Sequence, residues 1–153
     1  MALFYLDTSA LVKRYSVESG SPWIIELMSD HANRFALTRA AGPELIAALA
    51  RKTRTGELST EDCLRASFVF RSDWESVFVI IELTTAVAGR AMDLALSHGL
   101  RGYDSIHLAS AQELNEIRQQ ASLAPLTFIS ADSALCSAAG AQGLGIENPN
   151  HHS

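Results

Sequence analysis

Only two of the 153 residues are cysteine, Cys63 and Cys136, so no disulfide framework holds this chain together. Neither stands at zinc-finger spacing from another Cys or His, and both read as small apolar residues on packed helix faces. Positive charge is scarce: 12 Lys and Arg stand against 17 Asp and Glu, a net charge of −5 at pH 7. Sequence-blind binding to nucleic acid depends on phosphate neutralisation by a basic surface, and this balance argues against it. A local basic rim around an acidic site stays compatible with it. Long apolar runs are missing too. Val77 to Ile81 is soon interrupted, whereas a membrane span needs about 20 such residues. Met1 to Leu6 is apolar but has no basic region before it and meets Asp7 at once, unlike a signal peptide, so a cytoplasmic protein with no membrane partner is expected. What is plentiful is apolar material, 48% of residues. A domain of this length buries roughly 70% of its unfolded surface, which excludes intrinsic disorder. A single domain over residues 1–148 is expected, with 149–153 as a disordered tail.

Short apolar runs alternate with longer stretches of helical periodicity, the pattern of an α/β fold whose mostly parallel sheet is covered on both faces. Strands are expected at Ala2–Leu6, Phe35–Leu37, Val77–Ile81 and Leu126–Ile129, with Gly143–Ile146 as an edge candidate. Helices are expected from about Ser9 to Tyr15, after Ser21-Pro22, from Gly42-Pro43 to Arg54, from Ser59 to about Trp74, from Thr84 or Thr85 to His98, from about Asp104 to Gln120, and from Ser133 to Ala139. Ser59 to Asp62 resembles a capping box with a shortened acid.

In open α/β sheets ligands bind beyond the carboxyl ends of the strands, and there this chain is acidic. Asp7 follows the first strand, Asp132 lies just past the fourth, Glu44 is in the first turn of the helix after the second, and Asp104 opens a later helix. One such acid alone would be explained by the helix dipole, an effect of roughly 0.3–1 kcal/mol. Gathered into one cleft, all four would repel and raise one another's pKa unless a cation neutralised them. Oxygen-only donors point to Mg²⁺ or Mn²⁺, not zinc.

The segments that carry these acids are Leu6-Asp7-Thr8-Ser9-Ala10-Leu11, Pro43-Glu44-Leu45 with Ala48-Leu49-Ala50-Arg51, Tyr103-Asp104-Ser105-Ile106-His107-Leu108-Ala109, and Ile129-Ser130-Ala131-Asp132. In order and spacing they resemble the four acidic motifs of PIN-domain ribonucleases, and most closely those of VapC-type toxins of bacterial toxin–antitoxin pairs. The resemblance implies a PIN-like three-layer α/β/α fold with a doubly wound, mostly parallel sheet of four to five strands. It also implies an Mg²⁺- or Mn²⁺-dependent endoribonuclease using Asp7, Glu44, Asp104 and Asp132, an RNA substrate, a cognate antitoxin and a homodimer. Asp7 and Asp104 are assigned as direct ligands, with Glu44 and Asp132 acting through waters or on a second ion.

Around these acids, Thr8, Ser9 and Ser130 are candidates to hydrogen-bond a carboxylate or a coordinated water, with helix capping as the competing role. Arg51, seven residues after Glu44 and so on the same helix face, is a candidate for a substrate phosphate, as are Lys13 and Arg14 more weakly. His107 follows Asp104 by three residues but is expected as a packed, hydrogen-bonded histidine and not as a general base. Leu11, Val12, Tyr15, Trp23 and Ile24 offer an apolar surface to an antitoxin helix, with core packing expected for most of them. Other readings fit less well. A haloacid-dehalogenase-like phosphatase needs a second acid where Ser9 stands, and a phosphoacceptor receiver needs a lysine near Asp132. A PIN-like RNA- or protein-binding module without nuclease activity, or a housekeeping RNA-processing nuclease, remains the alternative.

Overall fold

The computed structural model describes residues 1–152. Five short strands, β1 (Leu3–Leu6), β2 (Arg34–Thr38), β3 (Phe78–Ile81), β4 (Thr127–Ile129) and β5 (Gly145–Glu147), form one parallel sheet in the order β3-β2-β1-β4-β5. Paired helices link the first four: α1 (Thr8–Tyr15) and α2 (Ser21–Ser29), α3 (Ala41–Arg54) and α4 (Thr60–Ser76), α5 (Thr85–His98) and α6 (Gly102–Gln120). One helix, α7 (Ser133–Ala141), leads into β5.

Alternation along the strands builds two cores. Leu3, Tyr5, Ala36 and Phe128 face α5, α6 and α7, where Leu94, Leu108 and Leu135 are buried. Leu6, Phe35, Leu37 and Ile129 face α1 to α4, where Leu11, Ile24, Leu45, Leu49 and Phe70 are buried. Each fully buried leucine contributes roughly 1.5–3 kcal/mol relative to exposure. Strands sandwiched this way are apolar on both faces, which is why β1 reads as an uninterrupted run.

The chain lays β2 and β3 on one side of β1, then crosses to place β4 and β5 on the other. That reversal opens a crevice at the carboxyl ends of β1 and β4. Leu6 is in register with Ile129, and the Asp7 N–H donates to the Ile129 carbonyl at 3.1 Å, so Asp7 and Ser130 leave the sheet level with each other.

Two expectations need correction. Helix α6 begins at Gly102 instead of Asp104, so Asp104 lies inside the first turn. Residues 149–152, expected to lack structure, are packed: Pro149–His151 forms a 3-10 turn and the His152 ring stacks 4.2 Å from that of Trp23. His152 Nε2 also lies 2.7 Å from Glu147 Oε2. A polar tail resembles disorder in composition, and its stacking partner Trp23 lies more than a hundred positions away. Ser153 is outside the described residues.

Candidate active site

Asp7 is the first residue past β1 and the N-cap of α1, and it is almost fully buried. Its Oδ1 accepts from the Ala10 N–H at 2.9 Å and the Ser9 hydroxyl at 2.7 Å, while Oδ2 accepts from the Ser130 hydroxyl at 2.6 Å. Each serine then accepts a backbone N–H from the turn after β4, Ser9 from Ala131 at 2.9 Å and Ser130 from Asp132 at 3.0 Å. The two serines therefore sew the ends of β1 and β4 together around one carboxylate.

Burial pushes the Asp7 carboxyl above its ordinary range, against the pull of His107, of both serine hydroxyls and of the Ala10 N–H. Asp104 is also raised, first by burial and then by Asp132 and Asp7, with His107 and Arg101 opposing. Asp7, Asp104 and Asp132 thus lie close enough to feel one another. Asp132 caps α7 by accepting from the Ala134 and Leu135 N–H groups at 2.9 and 3.1 Å. Glu44, in the first turn of α3, has its Oε1 2.8 Å from His107 Nε2. Thr8 Oγ1 lies 3.3 Å from the same nitrogen.

The sequence-derived acids and hydroxyls therefore meet at one place, with Arg51 and Lys13 on an adjoining cavity and Arg14 apart from them. Arg51 is exposed and lines a cavity of about 430 Å³ that also includes Ser9, Ala131 and Asn150. Lys13 is buried, and its ammonium donates to Glu18 Oε1 at 2.9 Å and to the Ser19 carbonyl at 2.6 Å. With Lys52, which reaches Glu18 Oε2 at 2.8 Å, it holds Glu18 below the ordinary carboxylate range although burial acts the other way. Arg14 lies over the Tyr15 ring and borders the clefts beside Asp73 and Asp62. Lys13 lines the same cavity as Arg51 with its ammonium engaged by Glu18, a partner in the loop beyond α1 that spacing along the helix cannot reveal.

Reading the sequence left Arg101 out. It is the N-cap of α6, and its charge lowers the Asp104 pKa. Its place three residues before a motif acid was the available signal. His107 was noticed but not its bond to Glu44, 63 positions away.

The acids brought together here, Asp7, Asp104 and Asp132, offer oxygen donors, the kind that suits a hard divalent cation. Among the described residues no group of three or more His, Cys, Asp and Glu side chains is arranged to hold a metal ion. Mg²⁺ typically takes only one or two carboxylates and keeps several waters.

The chain is similar to known proteins. Ribonuclease VapC45 of Mycobacterium tuberculosis is 38% identical over 114 residues, 72% of this chain and 76% of that protein. Among solved structures, PAE2754 from Pyrobaculum aerophilum superposes with a TM-score of 0.65 at 15% identity, over 99% of this chain and 86% of that one. VapBC2 from Rickettsia felis, solved bound to a DNA fragment from its promoter, gives 0.60 at 16% identity, over 95% and 98%. The PIN domain model matches residues 4–141, which takes in all four acidic motifs and every strand but the edge strand β5, and the chain belongs to the PIN-domain family.

Proposed function

We propose that this chain is an Mg²⁺- or Mn²⁺-dependent endoribonuclease acting as the toxin of a toxin–antitoxin pair. The observation that carries the reading is the convergence of Asp7, Asp104 and Asp132 at the topological reversal, two of them with raised carboxyl pKa values. The 38% identity to a protein named as a ribonuclease gives that acidic cleft its reaction class. Asp7 and Asp104 would hold the cation, with Glu44 and Asp132 reaching it through waters or holding a second ion. When bound, a cation held by these carboxylates would supply a more acidic coordinated water and offset charge on the phosphate. The chain's own part is to fix geometry: Ser9 and Ser130 immobilise the Asp7 carboxylate, and Asp132 is pinned by the start of α7. Arg51, beside Ser9 on the adjoining cavity, holds a phosphate of the RNA flanking the cut bond.

The partner reading includes an antitoxin. For such a partner this chain leaves a cleft of about 300 Å³ between α1 and α4 beside the exposed Val17, Leu64 and Phe68. Leu11, Val12, Tyr15, Trp23 and Ile24 are buried or half-buried, in line with the core packing expected for most of them, so the docking strip comes from α4 and the α1–α2 loop. The homodimer belongs to the same reading, with the exposed Met92 and Leu96 of α5 as the apolar strip that pairing would cover.

The test is RNA cleavage by the purified protein with Mn²⁺, alongside Asp7→Asn and Asp104→Asn. Each folded variant should lose at least about a hundredfold in rate, since an amide keeps volume but not the charge that holds the ion. Cleavage at the parent rate by both would refute the assignment. Expression alone should arrest growth, and co-expression with the neighbouring small partner should relieve it; harmless expression of the active nuclease would favour a housekeeping role.

A further inference from the structure

Asp7 and Asp132 are each tied down by two or more hydrogen bonds at the ends of their strands, but Glu44 reaches the cleft from α3 on a side chain with three rotatable bonds. Its carboxylate has one hydrogen-bond partner among the described residues, His107 Nε2 at 2.8 Å. His107 is 2% exposed and is held in turn at its other nitrogen, where the Tyr5 hydroxyl lies 2.9 Å from Nδ1. Tyr5 is fully buried on β1, stacked on Phe128 with ring centroids 5.3 Å apart and edge-on to the imidazole.

An ionised carboxylate only accepts, so Nε2 carries a hydrogen toward Glu44 whether the ring is neutral or charged. In the neutral ring Nδ1 is then left as the acceptor for the Tyr5 hydroxyl, so both buried groups are satisfied at once. A packed ring between two such bonds has one orientation available.

We propose that His107, oriented by the Tyr5 hydroxyl, is the positioning residue that holds the Glu44 carboxylate at the cation site. The proposal rests on the metal-dependent ribonuclease reading. Tyr5 and His107 come from β1 and α6 on one side of the sheet, and Glu44 comes from α3 on the other. The relay therefore passes the order of one layer across the sheet to an acid that its own helix leaves free to rotate. His107 does not touch the substrate in this role.

Four proteins test it by calorimetric titration with Mn²⁺: the parent, His107→Gln, His107→Met and Tyr5→Phe. Glutamine places an N–H close to the position of Nε2, whereas methionine fills the space without a donor. The affinity of His107→Met should fall by roughly 10–100-fold, that of His107→Gln should stay near the parent's, and that of Tyr5→Phe should lie between them. The kcat for RNA should follow the same order while KM holds. Tyr5→Phe, which removes only a hydroxyl, carries the comparison if His107→Met does not fold. Equal Mn²⁺ affinities in folded variants would overturn the proposal. Nitrogen NMR of the metal-free parent adds an arm independent of catalysis, with a hydrogen on Nε2 expected and one on Nδ1 alone overturning the arrangement. A parent that bound no Mn²⁺ would bring down the metal reading instead, and the ring spectrum would still decide the bond to Glu44.

Discussion

Two aspartates at one site solve the problem of burial differently. Asp7 has three donors on its carboxylate, whereas Asp104 has no side-chain hydrogen bond among the described residues and faces Asp132 and Asp7 instead. A carboxyl whose folded pKa is raised binds its proton more tightly in the folded state, so stability is lost as pH rises from the ordinary aspartate range through the raised value. In metal-free protein, Asp104→Asn removes that loss. Its melting temperature should exceed the parent's by a few degrees at pH 7, and the gap should close as pH falls below about 4, where the parent's carboxyl is protonated in both states. Thermal scans in chelator across this range check it. A parent that gains stability relative to the variant with rising pH would contradict the electrostatic account. Added Mn²⁺ should reverse the order, since only the parent has the charge to bind it.

At the level of elements, most of the architecture is readable because local rules and tertiary placement agree. Ser59, Thr84 and Asp132 sit before apolar periodic stretches and do cap α4, α5 and α7, through the N–H groups of Asp62, Val87, and Ala134 with Leu135. The acids sit where strands end, and the reversal beside β1 brings the ends together. What cannot be read is any contact made by the chain's two ends. Gly20, the N-cap of α2, has φ +85°, and a Cβ there would lie 2.7 Å from the Pro149 carbonyl oxygen. No side chain caps α2, although serines stand on both sides of Gly20; Ser21 accepts from the Glu18 N–H at 3.0 Å and closes the preceding turn. Gly20→Ala meets both a left-handed backbone and a backbone clash, and should cost about 2 kcal/mol, or roughly 4–8 °C of melting temperature. The same change should free the C-terminal turn, giving faster proteolysis after residue 147 and altered Trp23 fluorescence as the His152 ring leaves it. An unchanged melting curve would mean that the end of the chain contributes nothing to α2.

Across the whole molecule the net charge of −5 opposes RNA binding, so productive contact has to come from a few cations close to the cleft. Lys13 and Arg51 are both basic and both follow a motif acid, Arg51 being the stronger candidate by its place on the Glu44 face of its helix. In the folded protein their charges are differently engaged. Lys13 is spent on Glu18 and the Ser19 carbonyl, whereas Arg51 has no ion pair among the described residues and opens onto the cavity that runs past Ser9. Arg51→Ala should therefore weaken binding of a single-stranded RNA and lower the slope of log affinity against log salt by about 0.7, the contribution of one phosphate contact. Melting temperature should hardly change. Lys13→Met should do the reverse: it unpairs part of a buried network and lowers stability, while the salt slope stays as in the parent. Fluorescence anisotropy with a labelled RNA between about 50 and 200 mM salt, using Ca²⁺ in place of Mn²⁺ to suppress cleavage, separates the two outcomes. Equal slopes for Arg51→Ala and the parent would place the RNA path elsewhere, beside Arg101 at the start of α6, where the remaining cation near Asp104 stands.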